Sequence, residues 1–313
     1  IYAVHSSKNR IVSNVISNNN EQGIYLDNSN NNEIISNNIS NNKYLGIDLV
    51  ISNDNKIIYN TFNNDGIYVL DSYHNTVKGN VVNGKPLVYL EEKSNIIITQ
   101  AGQVILIKCN NVTVKNLELS YTDVGIELLK TNNSNISFNN ISKNDIGIEL
   151  WYSSSNFIRN CLVEDASTSI RLYRSCTNNV IENCTLMNGS YYGLSLSHLC
   201  DNNIIRNCEV LSHHTGIFIE NSDCNLIENC VCDNNLWPGI RIYDHSDNNI
   251  VRACISKGNN RGVGIYDSCN GNLVENCVIQ NSRDSGFWIY YSDFNHIENC
   301  TIEDSSEKGF YIT

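Results

Sequence analysis

Residues 216–232 read GIFIENSDCNLIENCVC, and close relatives of this stretch recur along the whole chain. Three short runs of β-forming residues, GIFIE (216–220), NLIE (225–228) and CVC (230–232), are separated by polar residues that favour turns. The glycine-led element returns mostly every 22–24 residues. It opens at Gly23, Gly46, Gly66, Gly125, Gly147, Gly193, Gly216, Gly239, Gly262, Gly286 and Gly309, with Gln103 and Ser169 in the same slot of two further copies.

A fixed period of this length, with three strands in each repeat, predicts an all-β solenoid, a single-stranded parallel β-helix of about 13 coils. A leucine-rich repeat has a similar period but needs stacked leucines and a helical segment, and a β-propeller blade needs about 40 residues. Neither pattern is present. Coils of a parallel β-helix stack about 4.8 Å apart, so every position of the repeat becomes a column of side chains along the axis.

One stretch interrupts the period. Between Gly66 and Gln103, the residues NGKPLVYLEEKSNIIITQAG (83–102) break the register and carry one of the two prolines. We expect an irregular coil there, inside a single β-helix domain that spans residues 1–313. The chain starts without a methionine and ends inside a strand-like pattern, so we expect it to be a fragment of a longer protein.

Charge and composition exclude several classes of partner. The chain carries a net charge of −12 and no cluster of Lys and Arg that could neutralise phosphates, which argues against nucleic acid and anionic membrane surfaces. No apolar run approaches the roughly 18 residues that a membrane span needs. The 55 asparagines and the scarcity of helix formers argue against a helical protein.

The columns around a recurring cysteine test the solenoid prediction. Three residues before the cysteine, an aliphatic column is expected to point inward: Ile158, Ile181, Ile205, Ile227, Val251, Val274 and Ile297. The next position predicts an outward ladder of opposite charges: Arg159, Glu182, Arg206, Glu228, Arg252, Glu275 and Glu298. The position after that predicts a ladder of asparagine amides at a left-handed bend: Asn160, Asn183, Asn207, Asn229, Asn276 and Asn299, with Ala253 as the exception.

The cysteine column itself comprises Cys161, Cys184, Cys208, Cys230, Cys254, Cys277 and Cys300, where earlier coils hold Val15, Asn38, Thr61, Asn80 and Asn140. A slot that accepts these residues favours a small, inward side chain, so we interpret the cysteines as buried thiols that act as small hydrophobic groups. Two alternatives stay open. They are disulfides between neighbouring coils and a Cu(I) site, although an apolar column disfavours the thiolate that a metal needs.

These repeats, the asparagine column and the interruption GKPLVYLEEKSNIIITQAG (84–102) resemble the NosD-like (CASH-type) right-handed β-helix proteins, in particular archaeal surface proteins. The resemblance covers essentially all 313 residues. It implies that the β-helix is right-handed and that the protein lies at the cell surface, outside the cell or in the periplasm. Function stays open, because pectate lyases, polygalacturonases, alginate epimerases and non-catalytic surface proteins share such repeats. The family's copper-binding label is disfavoured here by a single methionine and by seven histidines that share no column.

Two outward columns of the glycine-led strand form a candidate binding groove. The first contains Tyr25, Asp48, Tyr68, Glu127, Glu149, Arg171, Ser195, Phe218, Arg241, Gly264, Trp288 and Tyr311, and the second includes Asp27, Trp151, Tyr173, Ser197, Glu220, Tyr243, Tyr266 and Tyr290. Exposed aromatic rings stack on sugar faces, while charged groups bond hydroxyls and uronate carboxylates. The candidate substrate-binding residues are Trp151, Tyr173, Phe218, Glu220, Arg241, Tyr243, Tyr266, Trp288 and Tyr290. The alternative is that the aromatic residues only pack against each other across coils.

Three residues of the first column are candidates for catalysis. Glu127 and Glu149 occupy the same column in adjacent coils, near the roughly 5 Å that separates the carboxylates of a retaining glycosidase. Arg171, one coil further, would orient a substrate carboxylate or assist proton abstraction in a lyase. The alternative is that Arg171 simply neutralises two stacked acids.

Three hypotheses follow from the sequence. The leading one is an extracellular or cell-surface β-helix that binds polysaccharide or serves as a structural cell-envelope module. The second is a carbohydrate-active enzyme, namely a polysaccharide lyase, an epimerase or a glycoside hydrolase, that uses the same groove, and the third is a NosD-like copper-handling protein. We favour a protein without catalytic activity and expect no cofactor and no metal. The Asp- and Asn-rich turns offer oxygen ligands to Ca²⁺, but a calcium-binding nonapeptide repeat is absent.

Overall fold

The chain folds as a solenoid of short strands. The computed structural model describes all 313 residues, Ile1–Thr313, as 42 β-strands without an α-helix. Each complete coil carries three strands, which we term a, b and c in chain order, so the predicted all-β parallel solenoid is confirmed. Four coils form the N-terminal stack (residues 1–83) and ten form the C-terminal stack (residues 85–313), somewhat more than the 13 expected. The fold offers no apolar helix of membrane-spanning length.

The N-terminal stack contains twelve strands, four on each of its three faces. Its a strands are Tyr2–Val4, Ile24–Asp27, Ile47–Val50 and Ile67–Leu70. Its b strands are Arg10–Val12, Glu33–Ile35, Lys56–Ile58 and Thr76–Lys78. Its c strands are Val15–Ser17, Asn38–Ser40, Thr61–Asn63 and Val81–Val82.

The C-terminal stack has the same three faces at greater length. Its a strands are Lys85–Glu91, Gln103–Ile107, Val124–Leu129, Ile146–Trp151, Thr168–Tyr173, Tyr192–Ser197, Thr215–Glu220, Ile240–Tyr243, Val263–Tyr266, Ser285–Tyr290 and Lys308–Ile312. Its b strands are Ile97–Ile98, Thr113–Lys115, Asn135–Ser137, Phe157–Arg159, Val180–Glu182, Ile204–Arg206, Leu226–Glu228, Ile250–Arg252, Leu273–Glu275 and His296–Glu298. Its c strands are Glu118–Ser120, Asn140–Ser142, Leu162–Glu164, Thr185–Met187, Glu209–Leu211, Val231–Asp233, Ile255–Lys257, Val278–Gln280 and Thr301–Glu303.

The interior of the C-terminal stack follows the predicted columns. The aliphatic column from Ile158 to Val274 and the cysteine column from Cys161 to Cys277 belong to one buried cluster of 48 residues, against which Ile297 and Cys300 pack half-buried. All 13 cysteines are free thiols, and the column therefore contains no disulfide. A thiol fits there because the bend leaves little room beside the backbone: Cys230 Sγ lies 3.4 Å from the carbonyl oxygen of Glu228.

The amide ladder lies elsewhere than predicted. The asparagines directly before the cysteines take left-handed backbone, with φ of 52° at both Asn183 and Asn229, but this bend turns their side chains outward and their amides bond to no neighbouring coil. Coil-to-coil amide bonds form instead at other asparagines, and in the C-terminal stack most of them lie at the asparagine that precedes a b strand, such as Asn225 Nδ2 to Asn249 Oδ1 at 3.0 Å. The ladder consists of Asn156, Asn179, Asn203, Asn225, Asn249, Asn272 and Asn295. The predicted ladder at the Asn160 column is therefore wrong.

The two stacks are joined by a β-hairpin within the stretch that interrupts the period. Val81–Val82 pairs antiparallel with the start of Lys85–Glu91, which then pairs parallel with Gln103–Ile107. The loop is Asn83–Gly84, with φ of 49° and 80°, the left-handed pair that a two-residue hairpin requires. One sheet of 15 strands thus runs from the c face of the N-terminal stack into the a face of the C-terminal stack.

Strand direction reverses at this hairpin, and the core changes to the opposite face of the sheet. Val82 belongs to the core of the N-terminal stack, whereas Val104 and Leu106 belong to the core of the C-terminal stack. Their neighbours Ile105 and Ile107 point the other way and pack into the N-terminal core. Reversing both the strand direction and the buried face preserves the hand of the winding, so both stacks turn the same way.

The N-terminal stack ends against the outer surface of the C-terminal stack. Ile105, Ile107, Leu129 and Trp151 close the open end of its core, where a fifth coil would otherwise lie. Each such apolar side chain contributes about 1.5–3 kcal/mol when buried. The strand Ile67–Leu70 consequently lies over the first a strands of the C-terminal stack, and the two stacks pack as one body.

Candidate functional site

The two predicted groove columns are interrupted. Tyr25, Asp27, Asp48 and Tyr68 lie on the a face of the N-terminal stack, which is a separate sheet. The remaining residues lie side by side on the outer surface of the C-terminal a face. In the first, the a strands pair Glu127 with Glu149, Glu149 with Arg171, and so on to Tyr311. In the second, the register runs from Trp151 and Tyr173 to Tyr290. The structure therefore brings all the residues predicted for binding and catalysis onto one surface, although their exposure differs from the expectation.

The N-terminal stack covers the first coils of this surface. Glu127 and Glu149 are fully buried and Trp151 nearly so. Glu127 accepts a hydrogen bond from the Val69 amide at 3.2 Å. This bond gives a partner to a backbone N–H at the free edge of the strand Ile67–Leu70. The exposure expected for these three residues is wrong, because the outward face of their strands serves as the end wall of the other stack.

The buried carboxyls at this junction are strongly perturbed. Burial raises the pKa of Glu127 well above its ordinary value, and the neighbouring Glu149 raises it further. Burial also raises the pKa of Glu149, while the guanidinium of Arg171 opposes that shift. Neither carboxyl offers a surface to a solute, and of the two only Glu127 is hydrogen-bonded to the N-terminal stack, at the Val69 amide.

Arg171 is the first residue of the column that emerges from under the N-terminal stack. Its Nη1 lies 3.3 Å from Oε1 of Glu149, and its side chain is 32 % exposed. The guanidinium lies above the ring of Tyr173, 4.7 Å from its centroid. One face of the cation is therefore held by a buried anion and an aromatic ring, and the other face is free for a ligand.

Two hollows meet at Arg171. The junction pocket, of about 240 Å³, lies between the two stacks and is lined by Gln22, Tyr44, Leu45, Tyr68, Val124, Asp145, Ile146 and Arg171. The groove pocket, of about 360 Å³, lies on the open a face and is lined by Thr168, Arg171, Tyr173, Tyr191, Tyr192, Ser195, Ser197, His198, Phe218 and Glu220. Burial raises the pKa of Asp145, again opposed by Arg171.

The floor of the groove, within the groove pocket and beyond it, is aromatic and more closely packed than expected. Phe218 is buried under Tyr192, with ring centroids 4.6 Å apart and planes at 2°. Tyr266 is also buried, because its ring lies over Gly264 and its hydroxyl accepts a hydrogen bond from Arg261 at 3.1 Å. The exposure expected for Phe218 and Tyr266 is therefore wrong. Their rings pack against neighbouring residues, as the alternative to sugar binding predicted.

The other predicted binding residues keep part of their surface. The guanidinium of Arg241 lies 4.4 Å from the ring centroid of Tyr243. Glu220 borders the groove pocket, and its carboxylate lies 3.9 Å from His198 Nδ1. Further along, Trp288 stacks on Tyr311 at 4.0 Å, and Tyr290 lies against Tyr291 at 4.1 Å.

A third column, which the sequence interpretation missed, runs along the turn beside the groove, and its first residue lines the groove pocket. Tyr191, His214 and Trp237 occupy the position two residues before the glycine slot in three successive coils. Their rings follow one another at 6.0 Å and 5.8 Å. Tyr191 is 49 % and Trp237 44 % exposed. The sequence shows this column as an aromatic residue two positions before the glycine in three successive repeats. These positions belong to the turn and not to the strand, so the strand columns do not include them.

Comparison with known proteins gives two family matches. The family described as "Right handed beta helix region" matches residues 1–100 and 199–313. The family described as "Periplasmic copper-binding protein (NosD)" matches residues 91–252. No curated protein matches the sequence.

Solved structures share the fold at low sequence identity. The periplasmic alginate epimerase AlgG has a TM-score of 0.53 and 14 % identity, over 96 % of this chain and 77 % of that one. The A-module of the Azotobacter vinelandii mannuronan C-5 epimerase AlgE6 has a TM-score of 0.56 and 10 % identity, over 94 % and 90 %. At these identities the likeness establishes the fold alone.

The residues present do not fit the copper of the second family description. Soft Cu(I) sites use thiolate and thioether donors, but Met187 is the only methionine and eleven of the thirteen cysteines are buried. No three side chains of His, Cys, Asp or Glu converge to hold a metal ion. We therefore derive no chemistry through copper.

Proposed function

The chain belongs to the right-handed β-helix and NosD families, and we propose that it binds an anionic polysaccharide in the groove of its C-terminal a face, at the cell surface or in the periplasm. The observation that carries this proposal is Arg171. In a chain of net charge −12, this partly exposed cation borders both hollows of the groove. A guanidinium bonds a carboxylate through two parallel hydrogen bonds, which suits the uronate unit of an acidic glycan.

The remaining groove residues suit the sugar ring itself. The exposed rings of Tyr191 and Trp237 offer apolar faces beside the groove. Tyr and Trp combine an apolar ring with a polar hydroxyl or N–H, which suits a binding surface that is partly exposed to solvent. Glu220, which is half-buried at the groove pocket, supplies a carboxylate partner for sugar hydroxyls. The alginate epimerase AlgG and the mannuronan C-5 epimerase AlgE6 share this fold, and this likeness supports a uronate polymer as the class of ligand.

Binding is favoured over hydrolysis because of the burial of the acids. A glycosidase needs two carboxyls that both reach the scissile bond. Glu127 and Glu149 have no exposed surface, and Glu127 is engaged with the backbone of Val69. The two acids predicted for catalysis are thus withdrawn from a ligand, whereas Arg171 is accessible to it.

The proposal is tested by titrating the protein with polygalacturonate, alginate and neutral dextran at 50 and 150 mM NaCl, with product release followed in the same samples. We expect binding to the two polyuronates, weaker at the higher salt because exposed charges are screened, little binding to dextran, and no product. Equal affinity for dextran, or no binding to any of the three, would contradict the proposal.

A further inference from the structure

The groove is closed at one end. The strand Ile67–Leu70 lies across the outer surface of Val124–Leu129, and side chains of the C-terminal stack hold it there. The Gln103 amide bonds both the N–H and the carbonyl of Ile67, at 3.0 and 2.7 Å. Asp123 accepts hydrogen bonds from the amides of Gly46 and Gly66, at 2.8 and 3.0 Å. A linear polymer on the a face therefore cannot continue past Arg171 toward Glu149.

The closed end is not filled with protein. The junction pocket lies there, with Tyr44, Leu45 and Tyr68 of the N-terminal stack as its far wall. Its polar groups are Gln22, Asp145, Arg171 and the Tyr68 hydroxyl, a set that can meet the hydroxyls and the carboxylate of one sugar residue. Since Arg171 also borders the groove pocket, a ligand chain can extend from one hollow into the other.

We propose that this protein recognises the end of a uronate chain. The terminal residue occupies the junction pocket, Arg171 bonds its carboxylate or that of its neighbour, and the following residues lie along the groove toward Trp288. This inference rests on the proposed function and adds that internal segments of the polymer do not bind, because their continuing chain would collide with the N-terminal stack.

Binding stoichiometry distinguishes recognition of a chain end from binding to internal segments of the polymer. The intact protein is titrated with oligogalacturonates of increasing length, and the number of protein molecules bound per chain is measured by sedimentation. One chain has one end of each kind, so we expect one protein per chain at every length. A number that rises in proportion to length would overturn chain-end recognition while leaving polysaccharide binding in place. Absence of binding at every length would overturn the proposed function as well.

A variant of the pocket wall provides a second measurement. Tyr44→Ala removes a ring that is 52 % exposed and that lines the junction pocket but not the groove pocket. It is expected to weaken the binding of a trigalacturonate by about three- to tenfold, the range that corresponds to one aromatic contact. The matched control is Tyr59→Ala, whose ring is 61 % exposed on the same stack and lies against Gly79. Equal affinities of the two variants would overturn the placement of the chain end in this pocket.

Discussion

Replacing Asn249 with alanine is expected to lower the free energy of unfolding by about 3–5 kcal/mol, because it removes one rung of the buried amide ladder. Asn249 Oδ1 accepts hydrogen bonds from the backbone and the side-chain amides of Asn225, at 2.9 and 3.0 Å. Its Nδ2 donates to the carbonyl of Ser222 at 3.1 Å and to Oδ1 of Asn272 at 3.2 Å. Alanine leaves two buried donors of Asn225 without an acceptor, and each such loss costs about 1–3 kcal/mol. Denaturant unfolding measures the change.

The matched control is Asn229→Ala in the neighbouring column. Asn229 is exposed, makes no side-chain hydrogen bond between coils and has φ of 52°. Alanine in left-handed backbone costs about 1–2 kcal/mol, and the chain already carries Ala253 in this column with φ of 51°. A larger loss at Asn229 than at Asn249 would return the ladder to the column that the sequence suggested.

Arg171→Gln is expected to weaken the binding of a polyuronate by about 10- to 100-fold. Hydrogen bonds to charged groups contribute about 1.5–3 kcal/mol, and 1.4 kcal/mol corresponds to a factor of ten in affinity. The substitution also leaves Glu149 buried without its cation, and its carboxyl would then take up a proton. Affinity is therefore measured by calorimetry both in Arg171→Gln and in the double variant with Glu149→Gln, which removes the buried carboxylate.

Arg206→Gln is the control for a general loss of positive charge. Arg206 lies on the b face, is also partly exposed and pairs with Glu182 at 2.6 Å. Loss of a surface ion pair changes the free energy of unfolding by no more than about 1 kcal/mol. Because Arg206 lies on a different face from the groove, we expect the affinity for the polyuronate to stay unchanged. If the two arginine variants lose affinity equally, binding depends on net charge and not on the groove.

The periodicity of the chain was sufficient to predict the solenoid. Inward columns such as the one through Ile227 contain only aliphatic residues, because every coil presents the same position to the core. The asparagine columns were harder to distinguish. Asn225 and Asn229 recur with the same period, and only the backbone conformation decides which amide points along the stack.

The arrangement of the two stacks could not be derived from columns alone. The dipeptide Asn83–Gly84 is a strong hairpin signal, but within a run of parallel coils the same residues also fit the irregular coil that the sequence predicts. The burial of Glu127 follows from that hairpin, because it directs the N-terminal stack onto the outer face of the next sheet. In a column, Glu127 and Arg171 occupy equivalent places, and only the docked stack makes one buried and the other accessible.

The residues that border the groove could likewise be predicted only in part. The strand columns identified Tyr173 and Glu220, which do border the groove pocket. Tyr191 and Trp237 belong to the turn before the strand, where the direction of a side chain depends on the path of the backbone and not on strand alternation. An aromatic column at the turn positions of the repeat is the signal that identifies them.

The central claim, that Arg171 and its groove select an anionic glycan, is tested most directly with one matched pair of ligands. The affinity of the unmodified protein is measured by calorimetry for an oligogalacturonate and for the same oligomer after its carboxylates have been reduced to alcohols. The ring stacking and the chain length are then the same, and only the charge differs. We predict that the acidic oligomer binds about tenfold or more tightly. Equal affinities would contradict the account.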